Sequence, residues 1–237
     1  MKRFYLTNEQ FTTNTIDGDE FNHMKNVMRM NSGDKFIAFI GDEFDYECTI
    51  NEIKKNYISF SIDAQVLNLK NPKLKIDLFQ SLAKGEKMEL VTQKCTEIGI
   101  RTIYPLFVKN CDVKANSNKP ARLEKIVISA CKQCGRSQLT EVKTILTLQE
   151  ALPLLKTYDL VLFANETEQS TRIYDQLEKN KNAKSIALIV GPEGGFTPDE
   201  IEQLNKISTS ITFGSRILRT ETASIYLSSI VCDYFRS

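Results

Sequence analysis

The sequence predicts an α/β protein in which a small β-rich unit precedes a larger domain with a mostly parallel sheet. Between residues 34 and 67, near-alternating apolar positions predict short strands, at 35–40, 46–53 and 57–62. Beyond residue 74, apolar runs alternate with helical patterns, which is typical of a parallel sheet. A hydrophobic content of 41% and a charged content of 26% are ordinary for a globular chain.

A helix is predicted before these strands. Apolar residues at 21, 24, 27, 28 and 30 approximate helical spacing, and Asn31-Ser32-Gly33 ends the pattern. Residues 68–73, with Asn71-Pro72, read as a linker. We therefore expect a first domain at 1–70 and a second at 71–237.

The second domain is predicted to alternate strands with helices. The strands are expected at 74–82, 102–108, 141–145, 158–164, 185–190 and 210–214. The helices are expected near 86–98, 121–135, 147–156, 170–180, 198–207 and 221–235. This regular succession favours a mostly parallel sheet that is covered by helices on both faces.

Cellular location is inferred from apolar runs and cysteines. The longest apolar runs, such as 186–190, are far shorter than the roughly 20 residues of a membrane span, and the first residues lack the apolar stretch of a signal peptide. Cys131 and Cys134 form a C-x-x-C pair, but they lie in a helical stretch, and a chain with one histidine lacks the usual zinc ligands. We expect a cytoplasmic protein with free thiols and without a bound metal.

Charge is distributed unevenly along the chain. Residues 1–70 contain 8 Lys and Arg against 11 Asp and Glu, whereas residues 71–237 contain 23 against 19. Most of the basic excess lies between Arg101 and Lys143. Such a stretch fits a phosphate backbone, but a solvated basic face looks the same. Nucleic-acid binding and an ordinary surface both stay open on charge alone.

A glycine-rich turn, Gly191-Pro192-Glu193-Gly194-Gly195, follows the predicted strand 185–190. Ligands of open α/β sheets bind at the carboxyl ends of strands, and glycines let a ligand approach the backbone closely. The turn lacks a phosphate-binding lysine, and Glu193 would repel an anion. These features favour a cofactor without phosphates, such as S-adenosylmethionine, whose sulfonium is positive. The helix after the turn has a complete start signal, formed by Thr197, Pro198 and Glu200.

A second candidate loop joins the last predicted strand to the last helix. It runs from Phe213 to Ala223 and combines two arginines with Glu221 and two threonines. Thr220 or Thr222 could cap the helix, which would explain these two residues without a ligand. The guanidinium groups suit phosphate or carboxylate, because their paired N–H groups match these anions.

Five motifs carry a resemblance to a known family. The two most specific are Gly191–Gly195 and Ile217–Ala223, which reads Ile-Leu-Arg-Thr-Glu-Thr-Ala. The others follow the patterns K-x-x-E-[LI]-G, A-x-x-Q-x-x-R and H-x-x-x-V-x-R-x-x-x-G-D, at 93–99, 130–136 and 23–34. Together they resemble the RsmE family, the 16S ribosomal RNA uridine N3-methyltransferases of the SPOUT superfamily.

The resemblance implies a small N-terminal PUA-like β-barrel that helps to seat RNA, followed by a C-terminal SPOUT methyltransferase domain, an α/β fold with a trefoil knot. It also implies a homodimer and S-adenosylmethionine as the cofactor. By position, the cofactor is expected to be surrounded, largely through backbone groups, by Phe163, Ala164, Asn165, Gly191, Pro192, Glu193, Gly194, Gly195, Phe213, Gly214, Ile217, Leu218, Arg219, Thr222 and Ala223.

For the reaction, the resemblance implies uridine 1498 of 16S RNA in the 30S subunit as the target and Arg136, Arg219 and Glu221 as catalytic residues. We expect Glu221 to accept or relay the uracil N3 proton and an arginine to stabilise the charge on the uracil oxygens. A structural ion pair between Glu221 and Arg219 is an equal alternative. His23 is expected in the packing or the RNA surface of the first domain. RNA contacts are expected from Lys2, Arg3, Lys25, Arg29, Arg122 and Arg136.

Three other functions stay open. A ribose 2′-O-methyltransferase of the same superfamily is the nearest, and a noncatalytic RNA-binding assembly factor would keep the fold without the reaction. A nucleotide-dependent dehydrogenase or an NTPase is disfavoured, since the glycine turn matches neither phosphate-binding pattern.

Overall fold

The computed structural model describes residues 1–113 and 120–235. Lys114 and Lys119, which belong to the predicted basic stretch, lie outside these residues. The chain forms two compact units. The first contains Met1–Asn71 with Cys131–Leu139, and the second contains Pro72–Ala130 with Thr140–Ser237.

The first unit is built on a curled sheet of five strands. Its strands are β1 (Lys2–Tyr5), β2 (Thr15–Ile16), β3 (Lys35–Phe39), β4 (Phe44–Ile53) and β5 (Ile58–Leu67). They lie in the order β1-β3-β4-β5-β2, with β1 parallel to β3 and the other pairs antiparallel. The predicted strands are confirmed, while β1 and β2 are additional.

Helical segments cover this sheet. Helix α1 (Asn8–Thr13) begins with a capping box on Thr7, and α2 (Gly18–Asn22) continues into a π-helical turn, His23–Val27. The helix predicted around 20–30 therefore exists, but it ends before Met28, and Val27 is 67% exposed rather than on the packed face. The apolar face packs with the sheet into one core that includes Phe4, Phe21, Met24, Phe36, Ile50 and Phe60.

A segment from far along the chain completes the first unit. Gln138 forms a parallel bridge with Gly41. Arg3 makes a bidentate ion pair with Asp45 at 2.7 and 2.8 Å and also donates to the Ser137 hydroxyl at 3.0 Å. The Ser137 hydroxyl in turn donates to Asp45. Residues 131–139 thus supply hydrogen-bond partners to polar groups of the N-terminal sheet.

The second unit contains a parallel sheet. Its strands are β6 (Lys75–Ser81), β7 (Thr102–Phe107), β8 (Glu141–Val142), β9 (Leu146–Thr147), β10 (Leu160–Ala164), β11 (Ser185–Val190) and β12 (Thr209–Ile211). The order is β12-β10-β11-β6-β7-β8, with β9 also paired to β7, and every pairing is parallel. The predicted parallel sheet is confirmed, although the strand expected at 141–145 is shortened to β8, and β9 follows it.

Helices separate these strands along the chain. They are α3 (Lys87–Ile98), α4 (Pro120–Cys134), α5 (Leu148–Leu155), α6 (Ile173–Lys179), α7 (Pro198–Asn205) and α8 (Thr220–Tyr234). Leu160 and Leu162 of β10 pack into one apolar cluster with α3, α6 and α8, whereas Val161 and Phe163 pack into another with α5 and α7. Side chains alternate across a strand, so both faces of the sheet are buried, as predicted.

Candidate active site

The candidate loops follow neighbouring strands of the parallel sheet. Strands β12, β10, β11 and β6 are adjacent, and because they are parallel, their carboxyl ends share one edge of the sheet. The segments that leave this edge contain Asn165, the glycine turn at 191–195 and the loop at 212–219. The predicted cofactor residues therefore follow three neighbouring strands. The Phe163 side chain is fully buried in the core. Its backbone is therefore the part of this residue that is left for a contact with a cofactor.

The glycine turn is too tightly packed to accept side chains. A Cβ atom on Gly191 would lie 3.0 Å from the Phe196 ring, and one on Gly194 would lie 3.1 Å from the Asn110 Cβ. Gly195 has a φ of +66°, which disfavours any other residue. The predicted helix start is confirmed, since Thr197 caps α7 in a capping box with Glu200 and Pro198 occupies its first turn. Backbone groups therefore line the turn.

The loop after β7 holds the glycine turn in place. The Asn110 amide donates to the carbonyls of Gly194 at 3.0 Å and Gly195 at 3.1 Å. The Lys109 backbone N–H donates to the Glu200 carboxylate at 3.0 Å. Sequence reasoning missed Asn110; its position just after a strand of the same sheet is the signal that could have found it.

Glu193 is neutralised by a lysine that sequence reasoning also missed. Lys87 Nζ lies 2.8 Å from Glu193 Oε1, and the Lys84 backbone N–H donates to the same oxygen at 3.3 Å. Burial acts to raise the pKa of Glu193, but the hydrogen bond from Lys87 and backbone N–H donors bring it below its usual value. The hydrogen bond to Glu193 raises the pKa of Lys87. Both groups are charged at neutral pH.

Glu221 faces the same ammonium group. Its Oε2 lies 3.7 Å from Lys87 Nζ, and its side chain is 13% exposed. Among the described residues, no donor makes a hydrogen bond to this buried oxygen. Among the residues that the structure describes, the one that forms an ion pair with Glu221 is Lys87. The alternative of a structural pair with Arg219 is therefore wrong.

The loop before α8 does not cap its helix through a threonine. Arg219 occupies the N-cap with an extended backbone and no side-chain cap bond, and it is exposed. Thr220 is instead the first helical residue, and its buried hydroxyl donates to the Gly191 carbonyl at 2.6 Å. The predicted threonine cap is therefore wrong at both positions, since Thr222 lies within the helix. Ile217, a predicted cofactor residue, is 79% exposed.

The remaining predicted residues lie in several places. Arg136 belongs to the segment that completes the first unit, and it is 2% exposed. In the same unit, the Arg3 guanidinium is engaged with Asp45, and His23 stacks edge-on against Phe4 at 5.7 Å. Lys2, Lys25 and Arg29 lie on the first unit, with Lys25 over the Phe21 ring at 5.1 Å. In the second unit, Arg122 pairs with Glu89 at 2.7 Å.

The residues at the sheet edge fit S-adenosylmethionine. Three glycines leave little room for side chains in the turn, and Glu193 and Glu221 share a single ammonium, Lys87, so the group keeps a net acidic charge that suits a cationic ligand. Among the described residues, no group of three or more His, Cys, Asp or Glu is placed to hold a metal ion. Of the helices that the structure describes, none is both long enough and apolar enough to cross a bilayer.

Comparison with known proteins gives matches along nearly the whole chain. The model of an RNA methyltransferase domain matches residues 70–232, and that of an RNA methyltransferase PUA domain matches residues 16–63. The chain is 31% identical to ribosomal RNA small subunit methyltransferase E of Bacillus subtilis, over 98% of this chain and 96% of the relative. It is 35% identical to the protein of the same name from Rickettsia conorii, over 86% of this chain and 82% of that relative.

Solved structures agree with these matches. A methyltransferase of Legionella pneumophila in complex with S-adenosylmethionine superposes with a TM-score of 0.84 and 32% identity, over 97% of this chain and 96% of that one. Ribosomal RNA small subunit methyltransferase E of Neisseria gonorrhoeae, also bound to S-adenosylmethionine, gives a TM-score of 0.83 and 30% identity over the same shares.

Proposed function

Because the chain belongs to the ribosomal RNA small subunit methyltransferase E family, we propose that it methylates 16S ribosomal RNA with S-adenosylmethionine, at N3 of uridine 1498. The observation that carries this proposal is the likeness, over 97% of the chain, to two structures that hold S-adenosylmethionine. The proposed arrangement is a cytoplasmic homodimer acting on the 30S subunit, with a PUA-like domain at 1–70 and a knotted SPOUT domain at 71–237.

The proposed cofactor site consists of the segments at 163–165, 191–195 and 213–223. When bound, S-adenosylmethionine supplies an electrophilic methyl group. The chain's part is to hold the two reactants in line, which accounts for much of the rate of such a transfer. Backbone groups of the glycine turn are suited to this task, because Asn110 and the Glu200 capping box fix their positions.

The proposed base for the uracil N3 proton is Glu221. Its side chain is 13% exposed, its Oε2 receives no hydrogen bond from the described residues, and the Lys87 ammonium lies 3.7 Å away. A cation at this position would stabilise negative charge that develops on uracil oxygens. We therefore add Lys87 to Arg219 and Arg136 as a candidate for that electrostatic role.

RNA binding is proposed to involve the basic residues of both units. Lys2, Lys25 and Arg29 lie on the first unit, and Arg122 lies on the second. Each would contact phosphate, so each would contribute to affinity without reading sequence. In the first unit, Arg136 is buried and Arg3 is ion-paired. We propose that their part in RNA binding includes shaping the surface of that unit.

The decisive experiment uses 30S subunits that lack the modification. They are incubated with the protein and methyl-labelled S-adenosylmethionine, and the modified nucleoside is identified by mass spectrometry. We expect label on N3 of uridine 1498. Label on a ribose 2′ oxygen would overturn the choice of atom, and cofactor binding without label would favour a noncatalytic assembly factor.

The roles of individual residues are tested by single-turnover kinetics. Glu221→Gln keeps the shape of the side chain but removes the base, and general-base catalysis contributes about 10²- to 10⁴-fold. We expect a loss in that range for Glu221→Gln, and a loss for Arg136→Ala. If both variants kept the wild-type rate, the assignment would be wrong.

A further inference from the structure

A buried amide lies beneath the candidate active site. Gln80 is the penultimate residue of β6, follows the apolar pair Leu78-Phe79 and is fully buried. It pairs in register with Val190, the residue that immediately precedes the glycine turn. A buried amide needs hydrogen-bond partners, because leaving it unpaired is costly. The hydrogen-bond partners of Gln80 therefore indicate which groups of the site it holds in place.

The orientation of the Gln80 amide is fixed by its surroundings. Nε2 donates to the Ser81 carbonyl at 2.9 Å, and a carbonyl can only accept, so the nitrogen must lie on that side. The Ser224 hydroxyl donates to Oε1 on the other side. With the amide held in this way, Nε2 also donates to Thr220 Oγ1 at 3.0 Å.

This donor decides the direction of the next hydrogen bond. A threonine hydroxyl carries one proton, and Thr220 Oγ1 already accepts from Gln80. Its proton therefore goes to the Gly191 carbonyl, at 2.6 Å. The carbonyl is thereby held, and the peptide plane between Gly191 and Pro192 takes one orientation. Thr220 lies between Arg219 and Glu221, so the same bond joins the glycine turn to the two proposed catalytic residues.

We propose that Gln80 is a positioning residue, which orients the Thr220 hydroxyl so that it fixes the glycine turn against the loop carrying Arg219 and Glu221. This inference rests on the proposed function of that site. Gln80 acts through Thr220 and need not touch cofactor or RNA. Its effect is on the placement of the cofactor site relative to Glu221.

The test uses a matched pair of variants at Thr220. Thr220→Val keeps the side-chain shape but cannot donate to Gly191, whereas Thr220→Ser keeps the hydroxyl. Thr92→Val is the control for loss of a buried hydroxyl, since Thr92 is fully buried and its Oγ1 donates within its own helix to the Met88 carbonyl at 2.7 Å. S-adenosylmethionine binding is measured by calorimetry, and kcat and KM are measured on 30S subunits.

We expect Thr220→Val to weaken S-adenosylmethionine binding about tenfold, roughly the effect of one misplaced hydrogen bond. We also expect it to lower kcat while leaving KM for the 30S subunit unchanged. Thr220→Ser should stay within about threefold of the wild type, and Gln80→Leu should behave like Thr220→Val. A variant that merely unfolds more easily would lower the active fraction and leave the dissociation constant as it was.

The outcomes separate this inference from the proposed function. If the wild type bound no S-adenosylmethionine, the proposed function would fail. If the wild type bound it, and Thr220→Val bound it as tightly as Thr220→Ser, the positioning role of Gln80 would be refuted. A loss in Thr92→Val equal to that in Thr220→Val would refute it as well, because the effect would then be one of stability.

Discussion

The ammonium of Lys87 lies 2.8 Å from the carboxylate of Glu193 and thereby ties the start of α3 to the glycine turn. The same ammonium lies 3.7 Å from Glu221. One cation thus separates two carboxylates, one next to the proposed cofactor and the other proposed to act on the RNA base.

Removal of this cation should change the pH dependence of the reaction. The pKa of Glu193 lies below its usual value despite burial, chiefly through the bond from Lys87, so its charged form persists as the pH falls. In Lys87→Met we expect this pKa to rise and the acidic limb of the kcat profile to move to higher pH. Lys94→Met, which removes a 3.0 Å pair with Glu97 on the same helix, is the control. Identical acidic limbs for the two variants would contradict the prediction.

The loop after β10 should be sensitive to acid. Backbone hydrogen bonds from Ser170 and Thr171 lower the pKa of Glu168 to about 2. Since the folded-state pKa is depressed, the stabilisation is complete above the ordinary glutamate pKa of 4.5 and is lost as the pH falls towards about 2. Carboxyl NMR titration should find Glu168 still ionised at pH 3. In Glu168→Gln, the amides of the loop should exchange faster at neutral pH, and unchanged exchange would count against this role.

The packing of the glycine turn predicts a repairable defect. A Cβ atom on Gly194 would lie 3.1 Å from the Asn110 Cβ and 3.3 Å from its carbonyl oxygen. Overpacking of this kind costs about 1–3 kcal/mol, so we expect Gly194→Ala to bind S-adenosylmethionine less tightly by calorimetry. Asn110→Gly removes the nearest clashing atom but also the amide that bonds to Gly194 and Gly195, so the comparison is a double-mutant cycle. Gly194→Ala should cost less affinity in the Asn110→Gly background than in the wild type, and an equal cost in both backgrounds would exclude steric contact as the cause.

Arg3 should matter more for stability than its neighbour does. Its guanidinium binds Asp45 bidentately, with side chains only 15% and 21% exposed, so Arg3→Met leaves a half-buried carboxylate without its cation. We expect a loss of about 1–3 kcal/mol in the free energy of unfolding, which is a Tm decrease of several degrees for a chain of this size. Lys2→Met, at an exposed position, should change the Tm little and should instead reduce the salt dependence of RNA binding. Equal Tm values for the two variants would exclude the structural role of Arg3.

Local patterns were sufficient to predict much of the fold. The strand predicted at 185–190 matches β11 in both bounds, because a continuous apolar run ends at a glycine. Strand β1 was missed because its four residues are held by pairing with β3, and such pairing at long range leaves no periodicity in the sequence. The sequence does not show where residues 131–139 pack, for the same reason.

The parts of the candidate site that could be predicted are those in which one loop carries several unusual residues together. The glycine turn and the loop at 213–223 are of this kind. Lys87, Asn110 and Gln80 were missed because each contributes a single side chain, from the start of α3, the loop after β7 and the end of β6. Gln80 had a readable signal, since Gln-Ser follows the apolar pair Leu78-Phe79 at the edge where ligands bind.

The bridge between Gly41 and Gln138 has a consequence for protein synthesis. The N-terminal sheet, including the Arg3–Asp45 pair, is translated first, yet Ser137, which bonds to both Asp45 and Asn68, arrives much later. Until then, the polar positions that Ser137 fills must stay hydrated. A nascent chain that stops near residue 70 therefore carries an unfinished domain, and the beginning of this protein reaches its final structure only after more than half of it has been made.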